Sequence, residues 1–396
     1  MGRRGNNEGS VYKRKDGRWC AAVTTGYDPD TGEPDRAYFY GKTKTGVVKQ
    51  LDEAKAKIKA GIYVKPTKQT VGEWLDTWLE TYVAPSVRPK TWEGHEYRIR
   101  VHLHSALGQI ELRSLQTSQV QRMMNDKIKT GLSPRTVELM LITLKLALKQ
   151  AVVEGLVTRN VAEYTKRPKP NRKEIRVLAV DEMNMLMAAA AKDRIGTIFL
   201  VMLGTGLRMG EALALSWKYV DLRKRELTVV KGVVTTKTPD SKKRQTLLQD
   251  PKTDKGKRDI PIPDNLVPVL RAWRLRQIRE RLKSGPEYKN SGRVFTSSVG
   301  TPLIQRNTGR KLAELASKCN IPHVNPHALR HTFATRLLEK GVHPKVVQEL
   351  LGHADITLTL NTYSHVMPDI KQAAARAINE SLPQLRGRFK LLRYTN

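Results

Sequence analysis

Apolar and polar positions change rhythm along this chain, and the changes divide it into segments. Near the start, the runs SVYKR and RWCAAVTT flank Asp16 and Gly17, a pair that supplies the positive φ of a tight turn, so a hairpin is predicted. A second turn, DPDTGEP, leads into RAYFYGK, a third strand. The Lys-rich stretch 44–60 reads as a helix, and this small sheet with one helix ends near Pro66. From Thr70 the period lengthens. Val71, Trp74, Leu75, Trp78, Leu79 and Tyr82 recur at i, i+3, i+4, i+7, i+8 and i+11, an apolar helical face, and Thr70 with Glu73 has capping-box spacing. The two tryptophans read as core, not as platforms for stacked bases. Another helix is predicted over about 90–103, and Ser133 with Pro134 caps and opens one that Gly155 stops. Residues 69–163 therefore read as a compact helical domain.

Residues 165–174, TKRPKPNRKE, hold two prolines, five cations and one acid, the composition of a connector able to lie along phosphates. From Ile175 the rhythm is mixed. VDEMNMLMAAAA and IGTIFLVMLGTG read as helices, ELTVV, GVVTT, RQTLL and RDIPIP as strands, and the chain from Leu266 as mostly helical. The expected fold class is multidomain α+β: a small N-terminal β-sheet plus helix, a helical domain, and a mixed, mainly helical domain with a small antiparallel sheet. A length of 396 residues also exceeds one ordinary core.

Charge narrows the partners. Lys and Arg number 71 against 38 acids, a surplus of 33 that points to a polyanion. No apolar run approaches the roughly 20 residues a membrane span needs, and no signal peptide opens the chain, so nucleic acid is the expected partner and a membrane is not. Cys20 and Cys319 are too few and too far apart for a disulfide framework or a zinc module, which fits a reducing cytosol.

Six of the nine histidines fall between His323 and His365, and two of them, His327 and His353, bracket Arg330. Arg208 lies far upstream in the apolar run LGTGLRMGEALAL, where an isolated guanidinium is costly without a partner or a ligand. Glu211, three residues on, is the candidate partner, on the same helical face if a helix starts by Leu207. Arginine forks onto two phosphate oxygens, histidine donates a hydrogen bond or moves a proton near neutral pH, and tyrosine attacks phosphorus. This kit points to phosphodiester cleavage without metal. His327 and His331 at i, i+4 would also suit zinc, yet no HExxH surrounds them and no third ligand is spaced for it, so neither metal nor cofactor is expected.

The stretches TGLRMGEALALSW, PKTDKGKRDIPIP, HALRHTFATRLL and LGHADITLTLNTY, in that order, resemble the tyrosine recombinases, or phage integrases. Arg208 and Arg330 stand 122 residues apart, His353 follows 23 later and Tyr363 another 10 on, spacings similar to the family's. The resemblance is strong over the carboxyl half, weaker over 69–163 and weaker again over the first sixty residues. It implies an arm-DNA-binding domain at 1–65, a helical core-binding domain at 69–163, a linker at 164–174, a catalytic domain at 175–380 and a C-terminal tail at 381–396 that docks on a neighbour.

The resemblance also implies a mechanism. Tyr363 would be the nucleophile, with Arg208 and Arg330 clamping the nonbridging oxygens. His327 and His353 would bond the phosphate, His327 also helping to deprotonate Tyr363, with Glu211 and His331 supporting them from behind. A lysine of the turn, Lys252 with Lys255 and Lys257 as rivals, would protonate the departing 5′ oxygen. The product would be a 3′-phosphotyrosyl link. A homotetramer on double-stranded DNA would exchange strands at core and arm sites, with an excisionase or directionality factor as a further partner. The implied setting is the cytoplasm of a bacterial host, on the nucleoid, in the service of a prophage or conjugative transposon. The rival with the same chemistry is a type IB topoisomerase; the rival of another class, a DNA-binding regulator without catalysis, has no use for the two arginines and the tyrosine in one frame.

Overall fold

Strands give way to helices along the chain much as the rhythm predicts, in a computed structural model that describes residues 9–27, 31–60, 68–169, 176–251, 256–357, 360, 375–376 and 378–380. The chain divides into two units, residues 1–172 with 237–243 and residues 173–236 with 244–396. The expected linker lies partly, and the tail at 381–396 wholly, outside the described residues.

In the first unit, β1 (Ser10–Lys13), β2 (Trp19–Tyr27) and β3 (Pro34–Gly41) form an antiparallel sheet in that order, followed by α1 (Lys44–Lys59), which Thr43 caps. The hairpin turn is one residue longer than the two-residue form. The Arg14 N–H donates to the Arg18 carbonyl at 2.8 Å, the Gly17 N–H to the Arg14 carbonyl at 3.0 Å, and Gly17 takes φ +82°, a conformation that costs glycine least. Ala21, Val23 and Ala37 alternate onto the face that meets Val47 and Leu51 of α1.

The helical part of this unit holds α2 (Val71–Trp78), α3 (Pro89–Arg98), α4 (His104–Leu107), α5 (Thr117–Lys129) and α6 (Pro134–Val153). The capping box forms: the Glu73 N–H donates to Thr70 Oγ1 at 3.2 Å and the Thr70 N–H to the Glu73 carboxylate at 2.8 Å. Two helices expected to run on regularly instead widen into π-helical turns, Leu79–Val83 and Ile99–Leu103, that keep Leu79, Val83, Ile99 and Leu103 buried. Helix α5 is not among the elements the sequence predicts; it buries Val120, Met123 and Met124. Helix α6, capped by Ser133 and ended by Gly155 at φ +67°, lays its apolar stripe against Trp74, whose indole N–H donates to the Ala147 carbonyl at 2.9 Å.

The second unit begins with α7 (Val180–Lys192), α8 (Thr197–Thr205) and α9 (Met209–Ala214). Strands β4 (Val220–Asp221), β5 (Glu226–Val229) and β8 (Arg258–Pro261) make a three-stranded sheet in the order β4-β5-β8, and β6 (Gly232–Thr238) pairs with β7 (Ser241–Gln249), of which residues 232–236 and 244–249 belong to this unit. Helices α10 (Leu266–Ser284), α11 (Gln305–Lys318), α12 (Pro326–Glu339) and α13 (Pro344–Leu351) follow. The core centres on α8, from Ile198 to Leu203 buried throughout. A separate small cluster, Ala334 and Leu338 of α12 with Val347 and Leu351 of α13, docks the last helix on its neighbour. That docking matters most for function, because it fixes where the end of α13 points.

Trp74 is 3% exposed and ties α2 to α6 by area and by a hydrogen bond. Its replacement by alanine is expected to lower unfolding free energy by about 3–5 kcal/mol in urea denaturation of the full chain; a loss under about 1 kcal/mol would show that the helical core closes without it.

Candidate functional site

The site begins where α8 ends. Gly206 adopts φ +67°, and a Cβ there would lie 2.5 Å from the Phe333 ring, so glycine satisfies both the backbone and the packing. Its carbonyl is thereby turned toward Arg330, whose NH1 donates to it at 2.8 Å. Two residues on, Arg208 has extended φ −69°, ψ 150° and is the N-cap residue of α9. The condition for a shared helical face of Arg208 and Glu211, a helix starting by Leu207, is not met, because the helix starts at Met209. Their pairing is real but arises from capping: the Arg208 backbone N–H donates to Glu211 Oε2 at 2.9 Å and its NH1 to Oε1 at 2.7 Å.

A third arginine completes the arrangement. Arg258, at the head of β8, sends NH2 to Glu211 Oε2 at 2.9 Å and NH1 to Oε1 at 3.2 Å. It had not been singled out from the sequence, although the signal is there: Arg258, Ile260 and Ile262 alternate with exposed Asp259 and Pro261, so the arginine shares the strand's buried face. Burial alone would push the Glu211 carboxyl up. The hydrogen bonds and charge of Arg258, with the charges of Arg208 and Arg330, outweigh it and hold the group at about 2.

All three arginines meet the carboxyl end of α13. Arg258 Nε donates to the Leu350 carbonyl at 2.6 Å, Arg330 NH2 to the Leu351 carbonyl at 2.6 Å, and Arg208 NH2 to the Gly352 carbonyl at 3.4 Å. Gly352 takes φ +62°, which ends the helix and leaves these last carbonyls to outside donors. The negative end of the helix dipole adds to the attraction. Charge-assisted hydrogen bonds contribute about 1.5–3 kcal/mol each, enough to offset much of the several kcal/mol that burying a guanidinium costs. Arg330, 4% exposed, depends on them most.

The histidines surround this centre. Gln348 brackets the His353 backbone: its carbonyl accepts the His353 N–H at 3.1 Å and its Nε2 donates to the His353 carbonyl at 2.8 Å. Burial first, then Arg330, Arg208, Arg258 and His331, hold His353 at about 4. Burial lowers His327 as well, helped by Arg330 and Arg208. His331, its ring centroid 6.4 Å from that of His327, is held at about 4 by burial, His327 and Arg330. These imidazoles are neutral at pH 7, each with one donor and one acceptor. Among the described residues, three guanidinium groups gather on one carboxylate, a balance of two positive charges that suits a phosphodiester gaining charge in its transition state.

A cavity of about 220 Å³ adjoins His353, with Lys257, Arg258, Gln348 and Gly352 in its wall. A larger hollow of about 790 Å³, bordered by Lys218, Arg271 and Arg274, holds none of the expected site residues. Of the residues anticipated from the sequence, the structure brings together Arg208, Glu211, His327, Arg330, His331 and His353. Tyr363 and Lys252, with its rival Lys255, lie outside the described residues.

Known proteins resemble this chain over most of its length. The pattern described as the phage integrase family matches residues 176–369, and that of the phage integrase N-terminal SAM-like domain matches residues 70–128. A tyrosine recombinase XerC-like protein of Caldanaerobacter subterraneus subsp. tengcongensis is 34% identical over 371 residues, 90% of this chain and 95% of the relative. The ICEBs1 integrase of Bacillus subtilis is 24% identical over 378 residues, 94% of this chain and all of the relative. Among solved structures, a Tn1549 transposon integrase in complex with transposon right end DNA is similar at TM-score 0.66 and 24% identity, covering 78% of this chain and 99% of that one. A lambda integrase tetramer bound to a Holliday junction is similar at TM-score 0.56 and 19% identity, covering 91% and 96%.

The lowered histidines predict a pH dependence. Between about pH 6.5 and the depressed values near 4, the unfolded chain binds protons that the folded site refuses, so stability is lost as pH falls through that window. Thermal melting at steps from pH 7 to pH 4 should show a falling midpoint, and the double substitution His331→Gln, His353→Gln should flatten the fall. An identical slope in the variant would place the proton uptake elsewhere.

Proposed function

The chain belongs to the phage integrase family and is a tyrosine-type site-specific DNA recombinase, and from that premise we propose which residues carry each step. Tyr363 attacks the scissile phosphorus; a bond forms from its phenolic oxygen to phosphorus as the bond to the 5′ oxygen breaks. The phenolic proton leaves toward His327, whose depressed basicity keeps it neutral and able to accept. Arg208 and Arg330 hold the nonbridging oxygens, and His353 adds a hydrogen bond. Lys252 gives a proton to the departing 5′ oxygen. The energy of the broken ester is kept in the phosphotyrosyl link, so a 5′ hydroxyl from another strand can reverse the attack.

One observation supports this reading: three guanidinium groups converge on Glu211 and the last carbonyls of α13, a surplus of positive charge among the described residues, with neutral imidazoles beside them. Only developing negative charge makes such an arrangement more favourable in the transition state than before it. The reaction serves integration and excision of a mobile element, as the names of the ICEBs1 integrase and of the transposase of Tn916 from Enterococcus faecalis suggest. Residues 69–163 grip core DNA and residues 175–380 cut it. Residues 1–65 read arm sites, for which the outward face of the first sheet is suited: Tyr12, Tyr38 and Tyr40 are exposed there, with the Arg14 guanidinium 5.3 Å above the Tyr40 ring. The working unit is a homotetramer on DNA, regulated by an excisionase and located on the nucleoid in the cytoplasm.

On a nicked suicide duplex, Tyr363→Phe is expected to bind DNA normally and form no covalent adduct; an adduct from this variant would assign the attack to another residue. Arg208→Ala should slow cleavage by at least about 10²-fold, the usual cost of losing a donor to transition-state charge. Deleting residues 1–65 should weaken binding to arm-site DNA in gel shifts while sparing a core site, and equal loss at both would count against an arm-reading role.

A further inference from the structure

Glu211 poses a problem for the clamp it serves. A carboxylate beside Arg208 fixes the arginine's direction, but a carboxylate paired with Arg208 alone would also cancel the charge that is meant for phosphate. The contacts answer this. Each Glu211 oxygen receives one bond from Arg208 and one from Arg258. Only one of the two Arg208 bonds is from its guanidinium; the other is from its backbone N–H. Arg258 gives two guanidinium donors to the same carboxylate. Exposure divides the pair in the same sense: the Arg258 side chain is 6% exposed and that of Arg208 37%. Arg258 is also spent elsewhere inside the protein, on the carbonyls of Leu350 and Gly256.

We propose that Arg258 is a positioning residue that serves as the carboxylate's own counter-ion, so that Glu211 orients Arg208 without neutralising it. The inference rests on the reading of Arg208 as a phosphate clamp. It adds a division of labour among chemically identical side chains. The buried arginine balances the acid, and the more exposed one keeps its field for the nonbridging oxygens. The bond from Arg258 Nε to the Leu350 carbonyl lets the same residue register β8 against the end of α13, where Arg208 and Arg330 also bind.

The test separates charge from architecture. Single-turnover cleavage is measured on a nicked duplex with an ordinary scissile phosphate, and on one whose scissile linkage is a methylphosphonate, which lacks the charged nonbridging oxygen. Arg258→Met is expected to slow cleavage of the ordinary phosphate by about 10²-fold, and of the methylphosphonate by less than about threefold, because the second linkage brings one negative charge fewer to the clamp. Adding Glu211→Gln to Arg258→Met should recover about tenfold on the ordinary phosphate, since an amide no longer cancels Arg208. Arg258→Lys keeps the charge without the fork, and should lose about tenfold on phosphate and almost nothing on methylphosphonate. It carries the comparison if the methionine variant does not fold.

Equal losses on both linkages, or a double variant no faster than Arg258→Met, would overturn the inference. If the unmodified protein leaves methylphosphonate intact, the double variant alone decides. A different failure would strike the underlying reading: an unmodified protein that forms no phosphotyrosyl adduct on ordinary DNA.

Discussion

Three consecutive carbonyls at the end of one short helix hold the cations of this site. Leu350, Leu351 and Gly352 accept from Arg258, Arg330 and Arg208, residues drawn from β8, from α12 and from the cap of α9. Their mutual repulsion has to be met by something fixed. A helix terminus meets it with carbonyl dipoles that are already aligned and already unpaired. Glu211 supplies a full negative charge. Neither alone would suffice: the carboxylate by itself would balance a single arginine, and the carbonyls by themselves carry only partial charge.

The rest of the second unit delivers those groups to one place. The cluster of Ala334, Leu338, Val347 and Leu351 presses α13 onto α12, so Arg330 and its acceptor at Leu351 are set by the same packing. Gly206 turns the chain out of α8 close against Phe333 and directs its carbonyl at Arg330. The histidines inherit their state from this crowd of cations and from burial. They remain neutral, available for hydrogen bonding and proton transfer, and do not add to the charge.

Legibility in the sequence varied with how local each determinant is. The hairpin at Asp16-Gly17, the cap at Thr70 and the stripe from Val71 to Tyr82 follow from neighbours in the chain and were readable. Helix α5 has inward residues at i, i+3 and i+4, but only three, among polar neighbours, and its period is easily lost. The π-helical turns left no sequence signal that we can identify. At the site, Arg208 and Arg330 were found through motif and apolar context, and Glu211 through proximity, though by the wrong geometry. Arg258 is one cation among many in this sequence, and only its strand alternation distinguishes it.

The acceptors at the end of α13 belong to the backbone, and every residue has the same carbonyl to offer wherever the chain keeps the same shape of helix. Side-chain identity at Leu350 and Leu351 can therefore drift, within the demands of packing, without altering what the guanidinium groups see. Half of this binding arrangement is encoded as a curve of the chain and half as letters. A search by letters recovers the donors and passes over their counterparts, which makes the bend at Gly352 the more durable record of the site.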